Sequence, residues 1–142
     1  MSAGTGVRHS EFNHAKDSVT HFLQIWIEPD EKGIAPSYEE KVFLADAKRG
    51  QFRLIASNDA REGSVKIHQN ASIFAGLFNG EEKANYTIAK GRLGYVHVIR
   101  GSIRVNGVEL NAGDAAKLRE EENVDISSAR DAEILLFDLP PN

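Results

Sequence analysis

The chain contains no cysteine. Disulfides, thiolate nucleophiles, zinc–cysteine sites and iron–sulfur clusters are excluded together by that one absence. Long apolar runs are also missing, since nothing approaches the ~20 residues that a helix needs to cross a bilayer. The N-terminus, "MSAGTG", is small and polar and lacks the apolar stretch of a signal peptide. Positive charge is sparse and scattered: 17 Lys and Arg stand against 21 Asp and Glu, for a net charge of −4. No basic footprint for nucleic acid follows from such a distribution. The tripeptides that begin at Asn70 and Asn85 fit the glycosylation pattern, but without secretion they read as chance. A cytoplasmic location, with neither a nucleic-acid nor a membrane partner, is the expectation.

What is present is an ordinary globular composition, 41% hydrophobic and 27% charged over 142 residues. That length suits one domain, or one domain and part of another. The dominant hydrophobic period is two. Strands are expected at 6–12, 20–27, 51–56, 64–67, 72–78, 84–89, 95–99, 102–105 and 133–139. These runs are short, rich in β-branched and aromatic residues, and parted by Gly, Asn, Asp and Lys. Many short strands with frequent turns argue for a sandwich or barrel. Asn106-Gly107, inside "SIRVNGVEL", has the two residues that a type I′ hairpin needs for its positive φ angles. "EPDEKGIAPSYEE" (28–40), with two prolines, a glycine and five acidic residues, reads as a surface connector between packing units. "DAAKLREEEN" (114–123) has the one composition that favours helix, with Asp114 as N-cap. Trp26, in the most apolar run, is expected in the core.

Few residues carry chemistry. His9 and Glu11 lie two apart in an extended run, so both side chains point to one side. Imidazole and carboxylate together suit a divalent transition metal, but open metal sites usually have three or four protein ligands. On spacing alone such a pair is more often solvated or salt-bridged than metal-bound. "HSEFNH" is not the helical H-E-x-x-H signature, because the glutamate is displaced and the context is extended. His14 and His21 read as surface or turn residues, His68 as exposed, and His97 as half-buried on a face with Tyr95 and Ile99. Ser10 points away from His9, and no G-x-S-x-G elbow is present. The Glu39-Glu40 and Glu120-Glu121-Glu122 runs are charged faces by default.

The strings "SAGTGVRHSEFN" (2–13), "LQIWIEPDEKGIAPSYEEKVF" (23–43) and "EILLFDLPP" (133–141) resemble the pirin family of bicupins. "GSVKIHQNASIFAGLF" (63–78) and "VIRGSIRVNGVELNAGDAAKL" (98–118) resemble the second cupin of those proteins, and the likeness runs along essentially the whole chain. The resemblance implies an all-β cupin jelly-roll barrel: residues 36–142 as a C-terminal cupin, and 1–35 as remnant strands of an N-terminal cupin with its connector. In pirins one metal, usually iron, sits in the first barrel between an H-x-H pair and the H-x-E of a "GxxHSE" motif. His9 and Glu11 match the second pair; the first has no counterpart, because no H-x-H occurs in the chain. The implied cofactor is thus iron or another divalent transition metal, at a site that this chain only half supplies. The implied activity of the intact protein is quercetin 2,3-dioxygenase-type oxygenation of a flavonol, with Glu11 also able to take the flavonol hydroxyl proton. The chain alone is expected to be inactive. The alternative role is that of a non-enzymatic, metal-binding regulatory module that contacts other proteins. An apolar face at Leu23, Ile25 and Ile27 is expected to be exposed, and homodimerisation through the remnant strands follows from that.

Overall fold

The computed structural model describes residues 1–141. Eight strands form one rolled sheet: β1 (Arg53–Ser57), β2 (Val65–Lys66), β3 (Ser72–Gly80), β4 (Ala84–Thr87), β5 (Leu93–Val105), β6 (Val108–Asn111), β7 (Ala115–Leu118) and β8 (Asn123–Leu139). The main path runs β2-β1-β3-β8-β5-β6, with β4 added on β8 and β7 on β5. All pairings are antiparallel except β1 with β2.

The roll depends on two long strands that bend. β8 spans 17 residues and β5 spans 13, and their mutual register shifts three times between Val98 and Arg104. Each shift is a bulge that coils the sheet and changes which residues face inward. On β5 the inner face passes from Val96 and Val98 to Ile103 and Val105. Gly101 sits at that corner with φ +70°, and a Cβ there would lie 2.2 Å from the Arg130 carbonyl oxygen. Both the backbone region and the close approach demand glycine. The two runs expected at 95–99 and 102–105 are therefore one bent strand.

The inner face closes on a core that includes Leu54, Phe78, Val96, Ile103, Ile134 and Leu136, all fully buried. Phe52 meets Phe78 and Tyr86 edge-on at 5.8 and 6.2 Å between ring centres, and Tyr86 meets Phe74 tilted at 4.8 Å, geometry that suits the aromatic quadrupole. A bulge between Leu54 and Ala56 turns Leu54 inward and Ala56 outward. The outer face carries a second cluster, with Ala56, Ile73 and Leu135 buried. Ile27 of the N-terminal segment packs against it, beside Ile99 and Phe137. Two backbone-directed bonds hold that crossing: Gln69 Nε2 donates to the Glu28 carbonyl, and the Asp30 N–H to the His68 carbonyl, each at 2.9 Å. The Asn106-Gly107 hairpin forms as expected, with φ 47° and 81° and Val105 paired to Val108.

Five expectations are corrected. Of the apolar face expected to be exposed at Leu23, Ile25 and Ile27, Leu23 and Ile25 are exposed, but Ile27 is half-buried against the outer cluster of the sheet. The runs at 6–12 and 20–27 are not strands; they are extended and exposed, and among the described residues no neighbouring strand takes up their backbone groups. A strand is a pairing, so a period of two without a partner does not make one. Trp26 is 87% exposed rather than in the core, because the apolar segment around it lies outside the barrel. The stretch 114–123 is not helical: Ala115–Leu118 is β7, with Ala116 and Leu118 turned toward the core and Lys117 out. Ala116 and Leu118 fit a period of two against β5, and tertiary pairing overrides helix propensity. His68 is half-buried, not exposed, where the 28–30 crossing covers it. The connector 28–40 has no regular structure beyond a bridge between Ser37 and Ser2.

Candidate functional site

Two clusters of polar groups stand out, one outside the barrel and one at its rim. His9 and Glu11 lie in the extended N-terminal segment, which a turn at 4–5 and the Ser2–Ser37 bridge tie back to the connector. Gly4 fits that turn because of its φ of +52° and because a Cβ would meet the Ile34 carbonyl oxygen at 2.2 Å. Extended backbone puts both side chains on one side, with His9 Nε2 3.9 Å from Glu11 Oε1. That distance is too long for a hydrogen bond. Both groups are open to solvent, at 39% and 56% of side-chain exposure. They are therefore two unengaged donors with a common outlook. An imidazole nitrogen and a carboxylate fit a borderline divalent transition metal, yet they are fewer than a catalytic ion's usual ligands. Among the described residues, no group of three or more His, Cys, Asp or Glu converges on one point.

The remaining histidines lie elsewhere. His14 is exposed beside a turn in which Asn13 Nδ2 donates to the Ser18 carbonyl. His21 faces the barrel, with Nδ1 3.4 Å from an Arg100 guanidinium nitrogen. His97 is half-buried on the outer face of β5, as read from the sequence. A neighbour of the pair went unnoticed in the sequence. The Tyr38 hydroxyl donates to Glu40 Oε2 at 2.8 Å, and its pKa is raised by that bond, then by the charge of Glu40, by slight burial and by the charge of Glu11. Tyr38 and its Glu40 partner thus lie within reach of the charge of Glu11.

The second cluster locks the end of β8. Asp138, only 7% exposed, accepts from the Tyr86 hydroxyl and from Arg92 Nε. Arg92 also donates to the Asp138 carbonyl and to both the side chain and the carbonyl of Asn70 at 3.1 Å. Burial above all, then the hydrogen bond to Asp138 and its charge, hold the Tyr86 phenol above its ordinary range. The members are 46 and 52 residues apart in sequence, so no local motif announces them. With every acceptor of Asp138 engaged by protein, this cluster is a structural clasp.

A single sheet rolled around an apolar core, with corner bulges on its longest strands, is the cupin jelly roll. Residues 54–139 match the family model of the quercetinase C-terminal cupin domain. The chain is 41% identical over 141 residues to quercetin 2,3-dioxygenase of Escherichia coli K12, covering 99% of this chain and 60% of that protein. The crystal structure of YhhW from E. coli superposes with a TM-score of 0.77 at 36% identity, over 82% of this chain and 49% of that one. A nickel(II) complex of the same protein, described as a bacterial pirin, gives 0.74 at 35%, over 80% and 48%. The chain belongs to the pirin family and contains its C-terminal cupin. It spans only 60% of the length of the curated relatives first matched.

Proposed function

We propose that this chain supplies half of a metal site for a quercetin 2,3-dioxygenase-type reaction, with His9 and Glu11 as metal ligands. The observation that carries the reading is the shared orientation of these two unengaged donors, in a chain whose relatives are named for that reaction and include a nickel-bound pirin. On this reading residues 1–35 belong with an N-terminal cupin, and 36–142 form the C-terminal one. The metal, iron or another divalent ion, would supply Lewis acidity toward the vicinal oxygens of a flavonol. His9 and Glu11 would hold that ion, and the second carboxylate oxygen of Glu11 would take the flavonol hydroxyl proton. The fully packed interior of the barrel in hand leaves it a supporting role: its outer face carries the segment that presents the pair.

The test is a longer polypeptide in which a family H-x-H strand precedes residue 1. Metal-dependent quercetin consumption is expected, abolished by His9→Ala and reduced by about 10²-fold or more by Glu11→Gln. A polypeptide that retains the ion yet leaves quercetin untouched would contradict the enzymatic reading.

A second reading has its own observation. Val19, Phe22 and Trp26 are 97%, 62% and 87% exposed, an unusual display on one segment. It favours a protein-contacting module, self-association included. Sedimentation of the purified chain is expected to show concentration-dependent dimer that Trp26→Ser weakens; a strict monomer at high concentration would exclude the homodimer.

A further inference from the structure

On the side of the barrel where residues 41–47 run past the start of β1, an open cleft of about 410 Å³ lies between Val42, Phe43, Leu44, Arg53 and Gly63. Its charge is unusual. Lys41, at one end, is matched: its Nζ lies 2.7 Å from both Glu39 Oε1 and the Ser64 carbonyl. Arg53 has no carboxylate partner among the described residues. Its guanidinium stacks 5.4 Å from the centre of the Phe43 ring and donates one Nη2 bond to the Glu62 carbonyl. Its Nε is buried and has no acceptor at all. A buried donor left without an acceptor costs free energy, and more so when the group is charged.

The wall opposite is built with strain. Ala60 and Glu62 both adopt φ +55°, a left-handed conformation in which non-glycine residues are uncommon, and Gly63 follows at +72°. Gly63 leaves the guanidinium uncovered: a Cβ there would lie 3.7 Å from Arg53 Nη2. The strained turn is anchored beneath by the fully buried hydroxyls of Ser57 and Ser64, 2.7 Å apart, and by Asp59 with Arg61 at 3.0 Å. Apolar walls beside a cation that lacks a carboxylate partner among the described residues suit an anionic occupant with an apolar body.

We propose that this cleft binds a small monocarboxylate with an apolar body, its carboxylate on Arg53 and its body on Phe43, Val42 and Leu44. Carboxylate is the group that a guanidinium edge matches in charge and geometry. The proposal is independent of the metal pair and of any oxygenase activity.

The test is amide NMR of the full chain titrated with benzoate, and in parallel with benzamide, its uncharged isostere. Benzoate is expected to shift the amides of Phe43, Leu44 and Gly63, with benzamide bound about tenfold more weakly or worse. Arg53→Gln should remove the benzoate response, and Phe43→Ala should weaken it. Absence of any shift, equal binding of benzamide, or an undiminished response in Arg53→Gln would overturn the proposal. Should Arg53→Gln fail to fold, an undiminished response in Phe43→Ala would do so.

Discussion

Residues 1–52 and residues 53–141 are similar in hydrophobic pattern and opposite in what they do with it. Both contain alternating apolar runs, but the first region holds no strand, whereas the second holds all eight. In the barrel every run pairs with at least one neighbouring strand, and inward residues reach zero exposure, as at Phe78, Val98 and Ile134. In the N-terminal region the same pattern leaves Val19, Phe22 and Trp26 in solvent, and only Ile27 finds the sheet. Alternation states which residues share a face; whether that face is buried is decided by the neighbours. The barrel is packed and clasped, while the donors assigned to a metal sit on the loosely held region.

The comparison breaks most visibly under truncation of one large apolar side chain in each region. Phe78→Ala is expected to cost about 3–5 kcal/mol, because its transfer energy and a cavity are both lost. Trp26→Ala removes a larger side chain and is expected to stay within about 0.5 kcal/mol in the monomer, as exposed positions do. Chemical denaturation of both variants measures the contrast; comparable losses would place Trp26 in a buried contact.

A smaller effect tests the clasp. Tyr86 keeps its proton more tightly in the folded barrel than in the unfolded chain, where a phenol loses it near pH 10. The folded form therefore binds more protons above that pH, and stability falls as pH rises through and beyond it. Tyr86→Phe removes this linkage. Its stability at neutral pH should be lower, since the bond to Asp138 is lost, and its decline above pH ~10 should be shallower than in the parent. Equal alkaline slopes would show that Tyr86 contributes nothing to the pH dependence.

The sequence was most legible where local chemistry decides the outcome. Asn106-Gly107 allows the hairpin's left-handed turn whatever surrounds it, and the runs at 72–78 and 133–139 lie within β3 and β8. It was least legible where the outcome is a matter of neighbours. Residues 115–118 have a helical composition yet pair with β5, and the apolar segment around Trp26 lies outside the barrel. The site divides in the same way. Two residues apart in extended backbone, His9 and Glu11 are visible from spacing alone, whereas Arg92, Tyr86 and Asp138 meet only once the sheet has rolled. Tyr38 comes under the charge of Glu11 through the Ser2–Ser37 bridge, a contact with no sequence signature.

His9 and Glu11 are proposed as one half of a metal site. Calorimetric titration of the purified chain with nickel(II) tests it most directly. Binding weaker than micromolar is expected, as two ligands allow, and it should disappear in both His9→Ala and Glu11→Gln. Tight stoichiometric binding that survives either substitution would contradict it.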